Sequence, residues 1–316
     1  MIPRTILRAV GLILIALTAT TFAACGSETD PDAFPRVIPL GDGDVFANIV
    51  NSSLAVGPNR LMLQLAGADD QPIFNAQVHL RFFDLNGDGP VPHIEIDARF
   101  IPVETGYVDE QSGGSREVTG TDGVYVAGVD FARAGDWGVR ITVTTPDRNF
   151  EEFPFRFTVR ERSEEPMVGD PAPLSTQATL ATEANIEEID SSSPPRPEMH
   201  NLTIADAVMS GRPAVIAFTT PAFCHSRLCA PIMDTVMDPL AARFGDAAAF
   251  IHVEPYVLRD LRTGFVENAV PATREWKLQS EPWIFVVDRA GRIAAKFEGI
   301  VALDEVEAAL QRVLAD

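Results

Sequence analysis

The chain has 316 residues, 46% hydrophobic and 22% charged, a composition that excludes a disordered polymer and allows about two domains at ~150 residues each. Its formal net charge is −20, from 25 basic and 45 acidic side chains, so it lacks the basic face that nucleic acid or an anionic lipid surface would need. Lys277 and Lys296 are its two lysines, which leaves little material for lysine-based catalysis.

Residues 1–24 carry Arg4 and Arg8, then an apolar run at 9–17, then small residues, the order of an export signal. The run is shorter than the ~20 residues a spanning helix needs. Phe22-Ala23-Ala24-Cys25 resembles a bacterial lipobox, with Phe where Leu is usual. That resemblance implies cleavage before Cys25, a lipid on it, and anchorage to the outer, extracytoplasmic face of a cell membrane through that lipid. Residues 25–43 then read as a polar, proline-containing tether. With Cys25 lipidated, Cys224 and Cys229 remain, and outside the cytosol such a pair can persist as a disulfide.

Residues 44–160 alternate in apolar and polar side chains. Six candidate strands fall at 59–67, 76–85, 93–103, 123–132, 136–145 and 153–161, separated by Gly, Asp, Asn and Pro clusters. Between the second and third, DLNGDGPVPHIE fits a calcium-loop pattern, with Asp84, Asn86, Asp88 and Glu95 at ligand positions. Strands rather than helices flank it, and NGDG is equally a hairpin turn; both readings stay open. In residues 123–143, Tyr125, Ala127, Val129 and Phe131 alternate on one face, and Trp137, Val139, Ile141 and Val143 on the next strand. Read as a hairpin, this segment resembles one in Ig-like domains of exported bacterial proteins of the YtkA and FixH type. The resemblance implies an all-β Ig-like sandwich over 44–160, a fold and not a chemistry.

Residues 161–200 break the pattern, and the tract SSSPPRP is expected to be an extended, exposed loop. From 201 to 316 the order is helix, strand, helix, strand, helix, strand, strand, helix. PAVIAFTT and AAFIHVEPY are continuous apolar runs, the mark of buried strands. DEVEAALQRVLA is an amphipathic last helix.

This order resembles the thioredoxin-like superfamily, and the resemblance implies an α/β thioredoxin-like domain. Phe223 stands for the aromatic residue before the family's first cysteine, and Cys224 for its nucleophile. Ala230-Pro231 matches the Ala-Pro that kinks the active-site helix, and Ser280-Glu281-Pro282 the loop carrying the cis-proline. VGDPAP at 168–173 is similar to the opening of the TlpA and peroxiredoxin branch. The implied roles are attack by Cys224, resolution by Cys229, and a substrate groove shaped by Glu281 and Pro282. No cofactor is implied. The implied partners are exported proteins with thiols or disulfides.

The cysteines depart from the family by sitting five apart rather than three. Residues i and i+5 of one helix are ~7.5 Å apart along the axis, beyond comfortable disulfide reach. Cys224 is therefore expected in a loop, with the helix starting after Ser226 as N-cap or at Pro231. The buried acid of thioredoxin is replaced by Ala217, and His225 is the candidate to stabilise a thiolate in its place. Two other readings stay open. One is a structural disulfide on a redox-inactive binding or scaffold protein. The other is a copper site like that of Sco-type proteins, whose histidine is absent at Val287-Asp288-Arg289 and for which His200 and His252 are substitutes in principle.

Overall fold

The computed structural model describes residue 34 and residues 45–67, 69–109, 115–147, 149–264 and 268–315. The leader, Cys25 and all of the tether but Phe34 lie outside these residues. Among the described residues, no helix is long and apolar enough to cross a membrane.

Seven strands form one sheet: β1 (Phe46–Ile49), β2 (Gly57–Ala66), β3 (Gln77–Asp84), β4 (Val91–Asp109), β5 (Ser115–Phe131), β6 (Gly135–Thr144) and β7 (Asn149–Val159). Their spatial order is β1-β2-β5-β4-β3-β6-β7. The 19-residue β4 belongs to both halves of the sheet. Its first half pairs with β3 as far as Ala98, and from Arg99 onward it pairs with β5. The sheet curls about that strand, and its two halves enclose one apolar core. Leu61, Leu63, Tyr125, Val129 and Phe131 come from one half; Leu80, Phe82, Trp137 and Ile141 come from the other. Trp137 is 1% exposed, and its indole N–H donates to the Arg133 carbonyl at 3.0 Å, so its one polar atom is satisfied.

The segment 123–143 is not a hairpin. β5 is paired on both sides by β2 and β4, and β6 by β3 and β7. The apolar faces identified in the sequence are real, but they meet across the core rather than edge to edge. Alternation fixes which side chains point inward and is silent on which strand lies next door. Phe34 joins this sheet from the tether: its ring sits over Gly138, where any Cβ would approach within 2.5 Å, and against Phe83.

The second sheet holds β8 (Ala214–Phe218), β9 (Ala249–Val253), β10 (Trp283–Val287) and β11 (Ile293–Glu298) in the order β11-β10-β8-β9. β8 and β9 are parallel; β10 runs antiparallel to both of its neighbours. All five residues of β8 and of β10 are buried, as the continuous apolar runs require. α1 (Ile204–Met209) starts at a capping box in which Thr203 and Asp206 satisfy each other's backbone N–H groups. The cysteine helix is α2 (Cys229–Ile232), a π turn (Met233–Met237) and α3 (Asp238–Phe244). Pro239 explains the widened turn, because its ring and missing N–H disrupt the regular bond to Thr235 one turn earlier. α4 (Leu258–Arg262), α5 (Pro271–Glu275) and α6 (Leu303–Ala315) complete the chain, with Val306, Leu310 and Val313 of α6 buried.

The tract SSSPPRP is exposed only in part, at Pro194 and Pro197. Ser191, Ser192 and Arg196 are 3%, 5% and 6% exposed. Buried carboxylates supply what water would have supplied: Glu254 accepts from the Ser191 N–H, and Asp190 from those of Ser192 and Arg196. The Arg196 guanidinium in turn binds Asp234 and Asp238, one turn apart on the cysteine helix. At the other edge, residues 169–172 exchange backbone hydrogen bonds with Gly291 and Ile293, which places VGDPAP beside β11.

The curled sheet and the α/β unit share a core. Met62, Ile101 and Val124 of the sheet cluster with Leu228, Ile300 and Val301. Arg60 reaches across with both Glu305 carboxylate oxygens, at 2.7 and 2.9 Å, and the Ile300 carbonyl as acceptors. Residues 34–316 form one compact unit.

Candidate functional site

β8 ends at Phe218 and delivers the chain through Thr219, Thr220 and Pro221, all buried, into the cysteine loop. Cys224 lies in that loop, 5% exposed, and Cys229 is fully buried as the first residue of α2. The helix thus begins at neither Ser226 nor Pro231. Its N-cap is Leu228, and Pro231 is the third helical residue, where a missing N–H costs no internal bond. Arg227 takes a positive φ of 59° to turn the loop, its N–H donating to the Cys224 carbonyl at 3.1 Å.

The two thiols are differentiated. The Cys224 thiol is lowered to about 7. The largest cause is the hydrogen bond donated by the Cys229 thiol; burial opposes it, and the Ser226 hydroxyl and the Cys229 backbone N–H help. Ser226 Oγ stands 3.2 Å from Cys224 Sγ. Burial pushes the Cys229 thiol well up. Glu281, whose carboxylate accepts from the Tyr256 hydroxyl at 2.8 Å, raises both. The pair therefore offers one thiolate near neutral pH and one protonated partner beside it, the combination that thiol exchange uses.

The other residues singled out in the sequence fall around this pair. The Glu281–Pro282 peptide bond is cis, and the Pro282 carbonyl accepts from the Gly299 N–H at 2.9 Å. Phe223 is half-buried, Pro231 is buried, and His225 is exposed in the loop. Sequence reasoning missed the Ser226 contact, the charge that Glu281 brings to the sulfurs, and the sheet itself. The Gly106 N–H of β4 donates to the Arg227 carbonyl at 2.9 Å, so a strand over a hundred residues earlier holds the cysteine loop. A cavity of about 270 Å³ runs between the curled sheet and the α/β unit, lined by Ser226, Leu228 and Glu281 on one side and Met62 and Val124 on the other.

Three side chains of the calcium pattern, Asp84, Asn86 and Glu95, are engaged in other contacts. Asp84 is bound by Arg133 at 2.7 Å, which holds its carboxyl low, at about 2. Asn86 bonds the Asp136 backbone with both of its polar atoms, and Glu95 pairs with Arg81 across the β3–β4 ladder. Asp88 is exposed in the turn. Among the described residues, only Asp190, His200 and His252 form a group of three or more His, Cys, Asp or Glu with converging ligand atoms. Neither cysteine belongs to such a group. In Val287-Asp288-Arg289, Asp288 folds a turn by accepting from the Ala290 and Arg292 N–H groups.

No family model matches the chain, and no curated protein matches it. It is similar to the solution structure of a thioredoxin-like protein in the oxidized form, at 19% identity and a TM-score of 0.29, covering 36% of this chain and 85% of that one. It is also similar to a thiol:disulfide interchange protein of the thioredoxin family from Chlorobium tepidum TLS, at 16% identity and a TM-score of 0.30, covering 46% and 97%. The class rests on the chain's own strand order: a parallel β8–β9 pair, antiparallel β10 and β11, and a cysteine loop leaving the central strand. These define a thioredoxin-like α/β unit, here built against a curled β-sheet.

Proposed function

We propose that the chain is a thiol–disulfide oxidoreductase that uses Cys224 and Cys229. The observation that carries this reading is the split between the two thiols, one lowered to about 7 and the other fully buried and raised. The Cys224 thiolate attacks one sulfur of a substrate disulfide, and the other sulfur leaves as a thiolate and takes up a proton. Cys229 then loses its proton and attacks the Cys224 sulfur, releasing the second substrate sulfur. The substrate gains two electrons, and the chain ends with a Cys224–Cys229 disulfide; run backwards, the same steps oxidise a dithiol. Glu281 and Pro282 shape one wall of the substrate groove, and the curled sheet forms the other. We read that sheet as an Ig-like domain, and Cys25 as a lipid anchor that holds the protein outside the cytoplasm among exported proteins.

A redox titration of the pair against glutathione tests this. A midpoint above about −250 mV lies with exchange catalysts and supports the reading. A second reading, a structural disulfide on a binding protein, draws on the 5% exposure of Cys224 and the tie of its loop to β4. A midpoint below about −300 mV would favour it.

A further inference from the structure

Three residues distant in sequence meet beside β9. Asp190 follows the short 3₁₀ turn Ile186–Glu188, His200 ends the turn Pro197–His200, and His252 is the fourth residue of β9. Their side chains are 0%, 2% and 0% exposed. His200 Nε2 lies 3.2 Å from Asp190 Oδ2, and His252 Nδ1 lies 3.5 Å from Asp190 Oδ1. Both nitrogens are buried, and their close approaches to Asp190 do not complete a hydrogen bond. Two buried imidazole nitrogens that converge on one carboxylate without a completed hydrogen bond call for an explanation.

The surroundings orient His252 and Asp190. His252 Nε2 is 3.0 Å from the Thr219 carbonyl, which can only accept, so Nε2 carries a proton and Nδ1 is the nitrogen that faces Asp190. Each Asp190 oxygen is fixed by one backbone N–H, from Ser192 at 2.8 Å and from Arg196 at 2.7 Å, and retains a second lone pair. Outer hydrogen bonds of this kind fix the orientation of metal ligands. Tetrahedral bonds of ~2.0–2.1 Å put ligand atoms about 3.3 Å apart; here the nitrogens approach different oxygens of Asp190 at 3.2 and 3.5 Å, and the three ligand atoms lie within 4.8 Å of one another. A cavity of about 280 Å³, lined by His200, His252 and Glu254, leads to the cluster.

We propose that Asp190, His200 and His252 bind one divalent ion of the zinc class, with a fourth coordination position open to that cavity. Two imidazoles and one carboxylate suit a borderline ion better than calcium or magnesium. The site does not use the cysteines and stands whether or not they exchange disulfides.

The test uses the full chain, freed of metal with EDTA and titrated with Co²⁺ and then Zn²⁺. The expected result is one ion per chain. The visible cobalt spectrum should show low coordination with no thiolate charge-transfer band, and zinc should displace it. The Cys224→Ser/Cys229→Ser double variant should bind equally well. His200→Ala and His252→Ala should each weaken binding by more than about 100-fold, beyond the ~10–100-fold of an outer-shell change. If either variant fails to fold, the wild-type cobalt spectrum and a zinc-dependent rise in melting temperature decide. Absence of stoichiometric uptake overturns the proposal, since a protonated His252 against Asp190 would balance the charge without metal. So does a thiolate band, loss of binding with the cysteines, or undiminished binding in folded histidine variants.

Discussion

Ser226 and Glu281 pull the Cys224 thiol in opposite directions. The Ser226 hydroxyl donates to the sulfur and favours the thiolate, while the Glu281 carboxylate disfavours it. The rate of iodoacetamide alkylation at Cys224 should therefore rise with pH around a midpoint near 7, because only the thiolate reacts. Ser226→Ala should move the midpoint up and Glu281→Gln should move it down; a midpoint fixed in both variants would discard this account. Cys229 should stay unmodified until the chain unfolds. The cysteines and the cis-proline loop were legible in the sequence because each carries a local motif. The two modulating side chains were not, since their place depends on a left-handed turn at Arg227 and on a loop over fifty residues further on.

Strands were legible for the same local reason, and their partners were not. The apolar alternation at 125–131 and 137–143 set the inward face of two strands correctly. β1 escaped because four residues, FANI, show too little period, and β4 and β5 outrun their apolar stretches into polar extensions. The segment before α1 misled most, since its composition is that of a linker while buried carboxylates hold its backbone at Ser191, Ser192 and Arg196. Arg196 is the pin of that segment. Arg196→Ala should cost about 2–3 kcal/mol, as charge-assisted bonds to Asp234 and Asp238 are lost. Calorimetry should register this as a fall in melting temperature of roughly 3–5 °C. An unchanged transition would mean the segment is the exposed loop its composition suggests. Arg196→Lys should recover only a fraction of the loss, because an ammonium cannot fork.

At the scale of the whole molecule, the shared core joins the curled sheet and the α/β unit into a single cooperative body. Heating should give a single transition, and the observation of two in the wild-type chain would contradict the packing of Met62, Ile101 and Val124 against Leu228 and Ile300. Arg60→Ala removes a half-buried fork onto Glu305 and the Ile300 carbonyl. It should separate the transitions or cost about 1.5–3 kcal/mol in one, read by calorimetry with limited proteolysis alongside. None of this association was visible in the sequence, where boundary-like composition at 161–200 suggested two bodies and a joint.

The hydrogen bond from Gly106 to Arg227 bears on why the cysteines stand five apart. The intervening residues give the loop its reach, and the far end of that reach is β4. Loop length is therefore a measure of distance to a neighbour as well as a parameter of thiol chemistry. A descendant of this chain that dropped the sheet would be free to close the spacing to three. One that closed the spacing first would have to let go of the sheet.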